Sequence, residues 1–461
     1  MLCLLWPAHV EAGALDSKLA AILQKALPPE HTVSLLVVDL GTGRTVMEKN
    51  PHTPLSPAST MKIVTSSTAL KVLKPDYCFV TEVLADGLRG PVASNLYLRG
   101  SGDPHLVSEQ LFALTREVRA LGLAEVRGDI VVDASRFIPG EPIDEQEQLG
   151  SRAYHARYGA LSLNFNSVRL LVQPGPRAGE PAAVSMDPVS DYASLNADVK
   201  TVKGNQPLQV NATRELTASG RDAICVSGTI GERGAAKGRY VNVGNPAIYT
   251  GEVFKEFLLR EGIRVSGRVV EGAVSADAVP YYEFRSEPLG LMVYWLNKFS
   301  NNFMAEQINM TMGAQVFGLP GTREKGLEVI RKHLLDCGVK ESEFFLAEAS
   351  GLSRHNRLSA SALVRVLLAA ARDFTYGQEF MASFGVAGID GTLKEKFLDR
   401  KRRLRAKTGN LRGVNALAGF GTSRDHRVFV FAVIVNADKK GAGFIDYGEK
   451  IIRRILDVPL G

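Results

Sequence analysis

Three short stretches of this chain carry hydroxyls, amines and amides of the kinds acyl transfer needs. The first is Ser56-Pro57-Ala58-Ser59-Thr60-Met61-Lys62. A serine followed by proline predicts a helix start, with Ser56 as the cap and Pro57 at the first helical position. Ser59 then falls in the first turn, and Lys62 lies three residues on, along the same face. A serine hydroxyl is a weak nucleophile until a neighbouring base takes its proton. A lysine can be that base only if its pKa is pushed down. The positive end of a helix and a second nearby cation both act in that direction. Taken alone, Ser-x-x-Lys is common and is most often an ordinary helix start.

The second stretch is Ser300-Asn301-Asn302, set in an apolar helical region. Its plain reading is a solvated helix end. Its chemical reading is a second hydroxyl, Ser300, that relays a proton, and an amide, Asn302, that holds a substrate backbone. A further triplet, Lys407-Thr408-Gly409, falls on a predicted strand just before Asn410. Lys407 would supply the second cation and Thr408 a hydroxyl for a carboxylate. Gly409 would let a substrate backbone approach the strand edge. The plain reading here is a strand that ends in a turn.

These residues need elements to bring them together. Helical spacing runs over residues 16–26, with Leu19, Ile22, Leu23 and Leu27 on one face. Residues 33–39 and 45–47, joined by Gly41-Thr42-Gly43, read as a β-hairpin. A helix follows over residues 57–73. At the other end, residues 404–407, 416–421 and 428–435 read as strands, and residues 447–456 as a closing amphipathic helix. Helices at both ends of an antiparallel sheet give an α+β class. Between them, residues 95–98, 130–133, 169–172 and 224–227 read as short strands, residues 247–261 as a helix, and residues 285–335 as strongly helical. The expected division is a split catalytic domain of residues 16–78 and 280–461. A β-rich insertion of residues 79–279 holds two nested subdomains.

Composition narrows the function classes. The 461 residues are 45% hydrophobic and 23% charged, the profile of a folded chain of two or three domains. The net charge of +6 is mild, and no zinc-finger spacing, RNP-type strand or long basic helix points to nucleic acid. Seven basic residues between Lys396 and Lys407 read as a solvated face, or alternatively as attraction to an anionic wall or lipid head groups. Cys3, Cys78, Cys225 and Cys337 form no CxxC pair and are read as buried free thiols, with a Cys78–Cys225 bridge left open. The apolar start, Met1 to Trp6, followed by Ala12-Gly13-Ala14, suggests residues 1–15 are the remnant of an export signal or an unstructured start. A periplasmic or otherwise extracytoplasmic location, with at most peripheral attachment to the envelope, follows from that reading.

In order and in their placement on predicted elements, the three motifs resemble those of the β-lactamase and penicillin-binding protein group. The long gap from Ser59 to Ser300 is similar to that of class C low-molecular-mass penicillin-binding proteins, which are D-alanyl-D-alanine carboxypeptidases/endopeptidases. Other stretches carry the same resemblance: Leu98-Arg99-Gly100-Ser101-Gly102-Asp103-Pro104, Gly128-Asp129-Ile130-Val131-Val132-Asp133, Ala160-Leu161-Ser162-Leu163-Asn164-Phe165-Asn166, Ser350-Gly351-Leu352-Ser353-Arg354-His355-Asn356 and Gly388-Ile389-Asp390-Gly391-Thr392-Leu393. Two positions depart from the family pattern. Glu348-Ala349 stands where Asp-Gly is usual, and Asn164 stands where some members carry an aspartate that helps bind the substrate side chain.

The resemblance implies a mechanism. Ser59 attacks the carbonyl of a penultimate D-alanine in a peptidoglycan stem peptide, and Lys62 accepts its proton. Backbone N–H groups of Ser59 and Asn410 hold the oxyanion. Ser300 relays the proton to the leaving amine, Asn302 orients the peptide, and Thr408 with Lys407 binds the terminal carboxylate. Arg354 either binds a second carboxylate or caps its loop. β-Lactams inhibit by the same path, and no metal or cofactor is required. The alternatives are a β-lactamase or D-amino-acid esterase/amidase on the same motifs, and a non-catalytic wall-binding protein.

Overall fold

The computed structural model describes residues 31–138, 150–437 and 446–457. The helix expected over residues 16–26, the apolar start and Cys3 lie outside them. The chain divides into two compact units. One takes in the residues up to Tyr77, Leu289–Ala305 and those from Gly326 onward; the other is Cys78–Pro288 with Glu306–Lys325. The second boundary falls at Leu289 and not near residue 280, because Val279–Arg285 pairs antiparallel with Val80–Ala85 and so belongs to the inserted unit.

The first unit is built on a six-stranded sheet. Its order is Gly385–Val386, Leu404–Leu411, Val414–Thr422, Val428–Ala437, His31–Asp39 and Thr45–Lys49. Every neighbouring pair is antiparallel. The fourth strand, VFVFAVIVNA, is buried on both faces along most of its length, so helices must cover both sides. On one side the closing helix Tyr447–Leu456 packs Ile451, Ile452, Ile455 and Leu456 against Val33, Leu35, Phe429, Phe431 and Val433. On the other, the helix Ala360–Arg372 lies against the central strands and the helix Met61–Leu73 packs on it. The latter is buried on nearly every side. Its polar residues therefore bond inward: Thr65 Oγ1 donates to the Ala349 carbonyl at 2.6 Å and Thr68 Oγ1 to that of Val64 at 2.7 Å.

Two of the second unit's buried cores are built on its sheets. A five-stranded sheet, ordered Val269–Glu271, Ile130–Asp133, Leu96–Arg99, Val80–Ala85 and Val279–Arg285, packs against the helices Ser108–Ala120 and Pro246–Arg260. Two three-stranded sheets close over a separate core that includes Leu170, Val172, Val199, Ile224 and Val226. The helix Ser108–Ala120 is an addition to the strand-dominated expectation. It buries Leu111, Leu114, Thr115 and Val118, a helical spacing.

Among the described residues Cys78, Cys225 and Cys337 are not bridged to one another, so the Cys78–Cys225 bridge is not formed. Cys225 is exposed, against the expectation of burial, because it sits on the outward face of its strand. No helix of the described residues is long and apolar enough to cross a membrane.

Candidate active site

Ser59 lies in a 3-10 turn, Ala58–Thr60, that leads into the helix Met61–Leu73. Ser56 does not cap that helix as expected; Pro57 precedes the turn and no side chain caps it. Ser56 instead joins the turn to the sheet: its N–H donates to Asn436 Oδ1 at 2.9 Å, and its carbonyl accepts from Asn436 Nδ2 at 3.1 Å. Ala58 adopts φ 46°, a left-handed conformation that costs a non-glycine residue about 1 kcal/mol or more. The bend leaves Ser59 half-buried while Lys62 is fully buried.

Lys62 Nζ sits among three oxygens. It is 3.2 Å from Ser59 Oγ, 2.7 Å from Asn302 Oδ1 and 2.5 Å from the Ser350 carbonyl. The last two oxygens can only accept. As an ammonium, Lys62 can donate to all three; as a neutral amine with its two N–H groups on these two acceptors, it would turn its lone pair toward the Ser59 hydroxyl. The Ser350 carbonyl was not among the sequence candidates, because a backbone atom carries no residue signature.

Ser300 and Asn302 come from the junction of two helices, Leu289–Phe299 and Asn302–Phe317. Ser300 takes φ 57°, which turns the chain between them. Asn301 Oδ1 accepts from the Met304 N–H at 3.1 Å and caps the second helix. The helix-end reading of this triplet thus describes Asn301, while Asn302 faces Lys62 and Ser300 faces the other lysine.

That lysine, Lys407, lies on the strand Leu404–Leu411 and is fully buried. Its Nζ donates to Ser300 Oγ at 2.8 Å and to the Thr408 carbonyl at 2.8 Å. Burial, and then the charge of Lys62, push its amine well below the ordinary lysine range. Thr408 Oγ1 is 2.9 Å from Thr392 Oγ1, a second hydroxyl that the sequence reading did not assign to the site. Gly409 also has a structural task. A Cβ there would lie 2.7 Å from the Pro57 carbonyl and 3.1 Å from the Thr60 N, so the missing side chain admits the turn that carries Ser59. Asn410, exposed at the strand end, is oriented by a relay: Gly448 N–H donates to Asn415 Oδ1 at 2.8 Å, and Asn415 Nδ2 donates to Asn410 Oδ1 at 2.9 Å. The Asn410 Nδ2 group is thereby the donor turned away from Asn415.

An ion pair, buried at Lys298 and partly exposed at Asp390, braces the Ser300 turn. Lys298 Nζ donates to Asp390 at 2.8 and 2.7 Å, and Asp390 Oδ1 also accepts from the Val386 N–H at 2.8 Å. The pair holds the 388–392 segment, and with it Thr392, beside the helix end that carries Ser300.

Two candidates have other partners. Arg354 Nη2 donates to the Arg412 carbonyl at 2.5 Å, which is the loop-capping role. Asn164 belongs to the other unit. There Oδ1 accepts from the Ser108 N–H at 3.0 Å and Nδ2 donates to Ser108 Oγ at 2.7 Å. It caps the helix Ser108–Ala120, whose own N-cap residue, Val107, has no side-chain acceptor. In the basic run, Lys396 pairs with Asp446 and Arg400 with Asp457, so part of it is a braced surface.

Comparison with known proteins agrees with this geometry. A model of the D-Ala-D-Ala carboxypeptidase 3 (S13) family matches residues 15–447. A D-alanyl-D-alanine carboxypeptidase of Actinomadura sp. (strain R39) is 33% identical over 419 residues, 87% of this chain and 77% of that protein. The D-alanyl-D-alanine carboxypeptidase DacB of Haemophilus influenzae is 26% identical over 445 residues, 91% of this chain and 88% of that protein. The crystal structure of penicillin binding protein 4 from Haemophilus influenzae shares the fold, with a TM-score of 0.80 at 21% identity over 95% of this chain and 99% of that one.

Proposed function

We propose, from the premise that this chain belongs to the D-Ala-D-Ala carboxypeptidase 3 (S13) family, that Ser59 is the nucleophile of a serine D-alanyl-D-alanine carboxypeptidase that also binds penicillin. The observation that carries this is the set of contacts at Lys62 Nζ. Asn302 Oδ1 and the Ser350 carbonyl accept from it, and Ser59 Oγ lies 3.2 Å away, within reach of proton transfer.

The reaction proceeds in two halves. Ser59 Oγ attacks the carbonyl carbon of a penultimate D-alanine as its proton passes to Lys62. The oxyanion is held by the backbone N–H groups of Ser59 and Asn410; one such donor is worth about 2.7–4 kcal/mol of barrier. Ser300, bonded to Lys407, relays the proton from Lys62 to the leaving amine, regaining its own as it passes one on; the C–N bond breaks, and D-alanine departs. Water then hydrolyses the ester on Ser59. Thr408, its neighbour Thr392 and the outward Nδ2 of Asn410 are the donors for the terminal carboxylate, and Lys407 beside them holds Ser300 and the Thr408 carbonyl in place. A β-lactam follows the first half and stays as the ester.

The substrate is the peptide stem of peptidoglycan, and the enzyme works outside the cytoplasm, where that polymer lies. Endopeptidase action on cross-links uses the same carbonyl chemistry with a larger leaving amine. Arg354 and Asn164 are the weaker members of the site, since the Arg412 carbonyl and Ser108 Oγ take hydrogen bonds from their side chains.

The test is labelling with a fluorescent penicillin, followed by mapping of the modified peptide. One adduct on Ser59, absent from Ser59→Ala, is expected. Normal labelling of Ser59→Ala would overturn the assignment. Rapid release of the adduct would favour a β-lactamase instead.

A further inference from the structure

Glu348 is fully buried close to the proposed base, yet it lies outside the three motifs. Its two oxygens meet donors throughout. Oε2 accepts from the Ser350 N–H at 2.8 Å and from the Ser350 hydroxyl. Oε1 accepts from the Gly351 N–H at 2.7 Å, the Ser353 N–H at 3.4 Å and the Asn356 amide. Asn356 cannot turn to offer an acceptor, because its Oδ1 accepts from the Ala347 N–H at 2.7 Å.

One of these bonds leads directly to the base. The Gly351 N–H and the Ser350 carbonyl belong to the same peptide unit. That unit is planar and trans, so the two groups point in opposite directions. Glu348 holds the N–H end at 2.7 Å, and Lys62 Nζ donates to the carbonyl end at 2.5 Å. A single rigid plane therefore joins the carboxylate to the amine. Gly351 lets that plane lie flat against the nucleophile: at φ 82°, a Cβ would fall 2.0 Å from the Ala58 carbonyl.

We infer that Glu348 is a positioning residue: by fixing the Ser350–Gly351 peptide plane, it aims the lone pair of Lys62 at the Ser59 hydroxyl. This rests on the reading of Lys62 as the base. If the Ser350 carbonyl swings away, the amine loses one of the acceptors that orient it and its lone pair turns from the Ser59 hydroxyl. A glutamine at 348 favours such a swing. In either orientation its NH₂ would meet a backbone N–H that cannot accept, that of Gly351 or that of Ser350; only the Ser350 hydroxyl can turn to accept.

The experiment measures acylation of the full chain by benzylpenicillin, separating the rate constant at saturation from the preceding binding constant and titrating the active sites. Glu348→Gln is expected to lower the saturating rate about 10- to 100-fold per titrated site, the scale of an ångström-sized misplacement, with binding changed less than about 3-fold. Glu348→Asp, which keeps the carboxylate, should recover most of that rate. A purely structural role would reduce the number of titratable sites and leave the rate at each unchanged, and that result overturns the inference. Should Glu348→Gln not fold, Ser350→Ala keeps the carbonyl and removes one tether, with a loss of about 3- to 10-fold expected; a wild-type rate there overturns it equally. Failure of the wild-type protein to acylate at Ser59 would instead overturn the reading of the reaction, and the inference with it.

Discussion

Lys407 and Ser300, 107 positions apart in sequence, meet with the amine 2.8 Å from the hydroxyl, and the amine is wholly out of water. A buried lysine is an uneasy residue, and its pKa records this: burial and the charge of Lys62 hold it well below 10.5. The sign follows. An unfolded lysine is protonated below pH 10.5, whereas the folded one resists protonation until the pH falls through its lower value. Stability is full above 10.5 and is lost as the pH descends from there toward the folded pKa. Lys407→Met should therefore raise the melting temperature at neutral pH by about 2–4 °C. The same change should slow penicillin acylation about 100-fold. A lower melting temperature with wild-type acylation would contradict this.

His333 sets a second pH dependence, away from the chemistry. Its Nε2 lies 3.0 Å from Ser67 Oγ, and burial, outweighing the opposing charge of Asp336, lowers its pKa to about 4. The unfolded residue takes up its proton near pH 6.5. Stability is thus lost as the pH falls from about 6.5 to about 4, by about 3 kcal/mol in all. Denaturant midpoints measured across that window should fall in the wild type and fall less in His333→Gln. Parallel curves would show that His333 is not the group responsible.

Asp390→Asn should leave the Lys298 ammonium buried with weakened compensation. Breaking a buried pair costs about 3–5 kcal/mol, and the partial exposure of Asp390 reduces that to about 2 kcal/mol. Because the pair braces the helix end beside Ser300, acylation should slow as well, about 10-fold. Thermal melts and acylation rates of the same preparation check both effects; an unchanged melt would refute the bracing role.

Gly409→Ala places a methyl group against the Pro57 carbonyl, 2.7 Å away in the undistorted backbone. Backbone must shift to admit it, so the turn bearing Ser59 moves. Acylation should fall about 10-fold or more, whereas an alanine that only met substrate would raise the binding constant and leave the saturating rate alone.

Much of the fold is legible in the sequence where side chains alternate cleanly. The hairpin of residues 33–47, the three C-terminal strands and the helix Tyr447–Leu456 all follow from period and turn chemistry, because each buries one well-marked face or runs through the core. The cap at Ser56 does not follow. Its backbone is taken by Asn436, 380 positions away, and no local rule foresees that bond. Gly409 shows the same limit: a glycine tells of close approach without telling what approaches. Glu348 and the Ser350 carbonyl were illegible for another reason. Their part depends on the direction of one peptide plane, and a residue string does not encode it.

The central claim is that Ser59 carries the acyl group, and the most direct measurement follows both products. An acylated peptide ending in D-Ala-D-Ala is mixed with the protein. Released D-alanine is quantified while the intact mass of the quenched protein is recorded. The wild type should release D-alanine and show a transient mass gain equal to the acyl fragment, localised to Ser59, and Ser59→Ala should show neither. Release of D-alanine by Ser59→Ala at the wild-type rate would contradict the account.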